Sequence, residues 1–117
     1  MHKYDRLGVM LDMSRYGVMT LAQVKNYIDI LQKIGYNCLE LYCEDTFEVE
    51  GEPYFGYLRG GYSIADIQEL DAYAKERGIE LIPCIQTLAH FTSTAKIPHY
   101  WDLFDIDDIL MIGDEKV

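Results

Sequence analysis

The chain has 117 residues, half of them apolar, and a formal net charge of −10; this suffices for one domain with its own core, and with no clustered Lys or Arg it argues against a nucleic-acid partner. Three cysteines, Cys38, Cys43 and Cys84, lie in or beside apolar strand-like runs, so reduced, buried thiols and a cytoplasmic location are expected. The start, MHKYDRLG, lacks the apolar centre of a signal peptide, and no apolar run approaches the roughly 18 residues of a membrane span, so no membrane association is expected.

The first predicted element is a buried strand over LGVMLDM, residues 7 to 13, which stops at a Ser-Arg-Tyr-Gly loop. Thr20 and Gln23 have capping-box spacing, and Val24, Tyr27, Ile28, Leu31 and Ile34 then recur three and four residues apart, which predicts a helix with one apolar face. Gly35 ends that helix as a residue able to take positive φ. CLELYC, residues 38 to 43, is the second strand, and a loop of about 20 residues follows it, a length that in compact domains usually serves function. Ser63 and Asp66 cap the next helix, whose apolar face is Ile64, Ile67, Leu70 and Ala74 and whose end is Gly78. IELIPCI, residues 79 to 85, is the third strand.

Strands that are apolar almost throughout, alternating with amphipathic helices, predict an α/β fold with parallel pairing buried on both faces. No Gly-rich phosphate loop follows the first strand, and a small flavodoxin-like sheet needs about five strands where three are clear. That leaves a partial (β/α)8 TIM barrel, expected to form a single domain over 1–117. The stretch IDDILMIGDEKV reads as an apolar run, Gly113, and then Asp114 and Glu115 opening a helix. An element begun and not completed suggests a fragment covering about half of a barrel, which takes roughly 250 residues. Such a fragment leaves strand edges open and is expected to self-associate. The competing reading is a complete small α/β binding module derived from an enzyme barrel.

In parallel α/β folds, ligands sit beyond the carboxyl ends of the strands. Those ends offer Asp12, Ser14 and Arg15; then Glu44 and Asp45; then Gln86, Thr87 and His90. Spacing alone makes Arg15 a loop arginine pairing with Asp12, Glu44 and Asp45 solvated carboxylates, and His90 a core histidine. Tyr54, Phe55 and Tyr57 either pack the long loop down or offer faces on which a sugar stacks. His2, His90 and His99 share no ligand spacing with the cysteines, so neither a metal nor a cofactor is expected.

The run GVMLDMSR, the downstream YCED, RGGYSIADIQELDAYAKERGIELIP and the closing IPCIQTLAH, in this order, resemble the first three βα units of family 20 glycoside hydrolases, the β-N-acetylhexosaminidases. The resemblance covers residues 7 to 91 and implies a substrate, an N-acetylhexosamine-terminated glycan or glycoside. It implies that Arg15, closing an L-D-x-S-R motif, binds ring hydroxyls, with Asp12 and Asp45 on the substrate side of the site. It further implies that Glu44, in the place of the first residue of a family Asp-Asp pair and one methylene longer, links through His90 to the general acid. The surroundings of His90 depart from the family's P-E-I-D-x-P-G-H motif at Cys84, Gln86, Leu88 and Ala89. The family's reaction is substrate-assisted, the 2-acetamido oxygen attacking C1 while a Glu protonates the leaving oxygen. The adjacent Asp-Glu that performs this belongs to a fourth strand, so no catalytic pair is expected here. Asp114-Glu115 has the same letters but reads as a helix start.

Overall fold

The computed structural model describes residues 4–15 and 17–117; His2 lies outside them. Its first 84 residues alternate strand and helix as β1 (Gly8–Asp12), α1 (Leu21–Lys33), β2 (Cys38–Tyr42), α2 (Ile64–Glu76) and β3 (Glu80–Cys84). The three strands form one parallel sheet in the order β1-β2-β3. Register aligns Val9, Leu39 and Leu81 in one row and Leu11, Leu41 and Pro83 in another. Side chains alternate along a strand, so these rows share one face, and Met10, Glu40 and Ile82 share the other.

The core lies between the first face and the helices. Val24, Ile28 and Leu31 of α1 and Leu70 and Ala74 of α2 are buried against Leu39 and Leu41, as the three-and-four spacing predicts. Ile34 and Ile64, assigned by spacing to the same faces, are exposed. Ile34 is the C-cap of α1 and Ile64 the first residue of α2, so both stand past the reach of the sheet. Each helix opens with a complete capping box, Thr20 with Gln23 and Ser63 with Asp66. Gly8 is required where β1 begins: a Cβ there would stand 2.1 Å from Cys38 Sγ and 2.7 Å from the Cys38 carbonyl oxygen.

The long loop between β2 and α2 is folded back on itself. Phe47 and Tyr62 bridge, the Tyr62 amide donates to Thr46 O at 3.1 Å and the Glu48 amide to Tyr62 O at 2.9 Å. The rings of Phe47 and Phe55 meet edge to face at 5.3 Å.

Beyond β3 the chain forms short 3-10 turns at Thr94–Lys96 and Pro98–Leu103, then an antiparallel pair, β4 (Phe104–Ile106) and β5 (Ile109–Leu110). None of these elements was predicted. Asp107 takes a left-handed φ of 52° between β4 and β5, and the Leu110 amide donates to Leu88 O at 2.8 Å, tying the pair to the segment after β3. The helix expected from Asp114 is replaced by turns: the Lys116 amide donates to Asp114 Oδ1 at 2.8 Å and the Val117 amide to Asp114 O at 3.1 Å. Among the described residues no helix is long and apolar enough to cross a membrane.

Candidate functional site at the strand ends

Asp12 ends β1 and shapes the turn after it. Its Oδ1 accepts from the Ser14 amide at 2.9 Å and the Ser14 hydroxyl at 2.7 Å. Burial of the carboxyl pushes its pKa up, but the Ser14 hydroxyl and amide and the Arg15 charge outweigh this and hold it below the usual range. The turn directs Arg15 toward β2: Nη1 donates to Ser14 Oγ at 3.0 Å and to Glu44 Oε1 at 2.6 Å, and Nε lies 3.7 Å from Asp12 Oδ2.

Glu44 is the centre of the cluster. Tyr42 Oη lies 3.2 Å from its Oε1, His90 Nε2 also 3.2 Å from Oε1, and Arg59 Nη2 3.6 Å from Oε2. Burial alone would raise the Glu44 pKa, yet the hydrogen bond and charge of Arg15, the Tyr42 hydroxyl and His90 together lower it. Asp45, next in sequence, goes the other way. It is 4% exposed, and burial raises its pKa even though Arg59, with Nε 2.8 Å from Asp45 Oδ1, opposes the shift. That contact is close but misaligned for a hydrogen bond, so it acts as an ion pair.

Arg15, Glu44 and His90 therefore meet in space, one beyond each strand, as the motif order implies. With Arg59, Leu58 and Lys96 they line a cleft of about 530 Å³. Asp12 and Asp45 do not line it: Asp12 orients Ser14 and Arg15 from behind, and Asp45 is covered by Arg59. Gln86 faces a small void of about 10 Å³ beside Glu44, Asp45 and His90, and its Oε1 is buried without a hydrogen-bond partner. Thr87 is exposed. A second, acidic cleft of about 870 Å³ runs along the long loop past Glu48, Glu50, Glu52 and Tyr57. Phe55 is packed, whereas Tyr54 and Tyr57 are exposed, so the aromatic cluster divides between the two roles its composition allows. Asp114 and Glu115 line neither cleft. Among the described residues no group of three or more His, Cys, Asp or Glu is arranged to hold a metal ion.

Backbone conformation marks the same place. Among the described residues four non-glycines have left-handed φ: Glu44 at 48°, Leu58 at 62°, His90 at 71° and Asp107 at 52°. The first three line the 530 Å³ cleft, and strain of about 1–3 kcal/mol each persists where surrounding contacts enforce it, commonly at functional sites. Sequence reasoning missed Leu58 and Arg59. The one available signal was an arginine set among glycines, G-Y-L-R-G-G, within a loop rich in carboxylates.

Parallel βα units whose strand ends converge on an arginine, a carboxylate and a histidine define a segment of a (β/α)8 enzyme barrel. Residues 4–105 match the family model described as glycosyl hydrolase family 20, catalytic domain, and the chain belongs to that family. Among solved structures it is similar to Streptomyces plicatus N-acetyl-β-hexosaminidase in complex with Thio-NAglucal, at 26% identity and TM-score 0.74 over 97% of this chain and 25% of that one. It is also similar to the family 20 β-N-acetylhexosaminidase of Streptomyces coelicolor A3(2), at 25% identity and TM-score 0.81 over 97% of this chain and 28% of that one. The family 20 exo-β-N-acetylglucosaminidase of Vibrio harveyi in complex with N-acetylglucosamine shares the fold, at 20% identity and TM-score 0.78 over 93% of this chain and 23% of that one. No curated protein sequence matches. The chain spans about a quarter of the length of these three structures.

Proposed function

We propose that this chain contributes the first three βα units of the catalytic barrel of a β-N-acetylhexosaminidase, which removes terminal N-acetylglucosamine or N-acetylgalactosamine with retention. The observation that carries the reading is the Arg15–Glu44–His90 cluster, with contacts of 2.6 and 3.2 Å, at three successive strand ends.

In this reading Arg15 binds the terminal sugar. Its Nη1 and Nε face protein carboxylates, which leaves the Nη2 end of the planar fork for neighbouring hydroxyls. Glu44 stays ionised and orients His90, and the pair connects to the acid. The acid and the carboxylate that orients the acetamido group come from an adjacent Asp-Glu outside these 117 residues. When the acetamido oxygen bonds to C1, the C1–O bond to the leaving group breaks and the acid protonates the departing oxygen; water then opens the oxazolinium. Cys38, Cys43 and Cys84 are free, and burial pushes the Cys43 thiol up to about 11, which supports their use as core hydrophobes in a reducing, cytoplasmic setting.

The test is release of p-nitrophenol from its N-acetyl-β-glucosaminide and galactosaminide. The 117-residue chain alone is expected to give no turnover, whereas a protein joining it to a later strand ending Asp-Glu is expected to be active, with Arg15→Ala reducing kcat/KM by about 100-fold or more. Hydrolysis by the 117-residue chain that disappears with Asp114→Ala or Glu115→Ala would overturn the placement of the acid.

A further inference from the structure

We propose that Arg59 is the positioning residue of this site, a clamp from the long loop that fixes the Glu44–Asp45 carboxylates relative to Arg15 and His90. The role is assigned from contacts and depends on the glycosidase reading only in calling the cluster a reaction site. The guanidinium of Arg59 reaches a group beyond each of the three strands. Nη2 donates to the Ser14 carbonyl after β1 and lies 3.6 Å from Glu44 after β2. Nε stands 2.8 Å from Asp45 Oδ1, and Nη1 donates to Ser93 Oγ at 3.0 Å, in the segment after β3. Arg15, Glu44 and His90 join these loops in pairs, whereas the single planar fork of Arg59 spans all three.

The backbone around Arg59 is built to deliver that fork. Gly56, Leu58 and Gly60 all take left-handed φ, at 66°, 62° and 71°. At Gly56 the loop passes so close to Asp45 that a Cβ would fall 2.0 Å from the Asp45 carbonyl oxygen. At Leu58 the conformation is costly for a branched side chain, and that side chain is 88% exposed, so its own packing offsets little of the cost. What the alternating turns accomplish is to bring Arg59 inward between two glycines. Lysine would keep the charge at this position but could not serve carbonyl, hydroxyl and two carboxylates together.

The experiment uses the 117-residue chain with Arg59→Lys, Arg59→Met and Leu58→Gly. Amide exchange is followed at Ser14, Thr46 and Ala95, whose N–H groups donate to Asp12 Oδ1, Cys43 O and Phe91 O and so report on one loop each. The Asp45 carboxyl is titrated by carbon NMR. Both Arg59 variants are expected to exchange about tenfold faster or more at all three amides and to titrate Asp45 at higher pH, with α1 and β2 amides unchanged as proof of folding. Leu58→Gly is expected to stay within about twofold of wild type at the three amides, since glycine adopts the same φ freely. A lysine variant that matches wild type would reduce Arg59 to a charge, faster exchange confined to 54–60 would make it a local anchor, and loss of protection in Leu58→Gly would shift the role to Leu58; each overturns the assignment. None of these readouts requires turnover, so a failed hydrolysis assay bears on the glycosidase reading alone. In a protein that does hydrolyse the substrate, Arg59→Lys is expected to lower kcat about tenfold with KM changed less than about threefold, because a misplaced carboxylate affects the reacting state more than binding.

Discussion

Glu44 and Asp45 are joined by a peptide bond and each carries a carboxyl group, yet their surroundings separate their acidities. Glu44 collects Arg15, Tyr42 and His90 and is held low, while Asp45 is sealed under Arg59 and raised by burial. Their effects on stability with pH therefore have opposite signs. A carboxylate whose folded pKa is depressed adds stability above its unfolded pKa and loses it as pH falls through the folded value; a raised one favours folding most below its unfolded pKa. Glu44→Gln is accordingly expected to cost about 1–3 kcal/mol at pH 7, through the unpaired Arg15 and the lost charge-assisted bonds. That deficit should shrink only as pH falls past the ordinary glutamate range and through the depressed folded pKa of Glu44, where the wild-type side chain itself becomes neutral. Urea denaturation from pH 7 into the acid range, with the Glu44 carboxyl titrated alongside by carbon NMR, measures it, and a deficit that persists once Glu44 is protonated would mean that packing of the side chain, not its charge, carries the effect.

At the scale of elements, what was legible in the sequence is what is decided locally. The capping boxes of α1 and α2, the apolar spacings and the three strand cores lie within a few residues of the groups that satisfy them, so pattern and structure agree. Pro83 fits within β3 because that strand pairs on one side only. The β4–β5 pair was hidden because its strands have three and two residues, too short for a period to register, and its position depends on Leu88 and Phe91. Arg15, Glu44 and His90 were legible as polar residues at strand ends, and the order of family motifs singled them out from their neighbours. Arg59 was marked only by the glycines around it, since its contacts to Ser14 and Ser93 arise from the folding back of the long loop. Gly56 decides that fold-back. Gly56→Ala places a Cβ against Asp45 O in a left-handed conformation, with an expected loss of about 1–3 kcal/mol and a melting midpoint roughly 5–10 °C lower. Gly17→Ala, where a Cβ meets nothing within 4 Å, is the control and should stay within about 1 kcal/mol of wild type.

The molecule as a whole has more surface than a closed domain of its mass. Its accessible area is 8031 Å², against about 6,600 Å² for a compact 13.6 kDa protein; the excess is well above the roughly 800 Å² that each partner contributes to a standard protein interface. The radius of gyration is 16.2 Å and the extents are 51 × 28 × 24 Å, where about 13 Å is usual for this length. The open surface is where a barrel continues. Among the described residues β1 and β3 pair only with β2, so each presents an unpaired row of backbone donors and acceptors, and Met10, on the face turned from the helices, is 55% exposed. Within a longer protein, further βα units would cover these edges; in the 117-residue chain a second copy is the available cover. Size-exclusion chromatography with light scattering is therefore expected to show a dimer or larger species, and Met10→Lys, which puts a charge on the exposed face without touching the helix-side core, should shift it toward monomer. A compact monomer with one cooperative melt would show that the three units close their own core, and would bring forward the reading of an independent binding module.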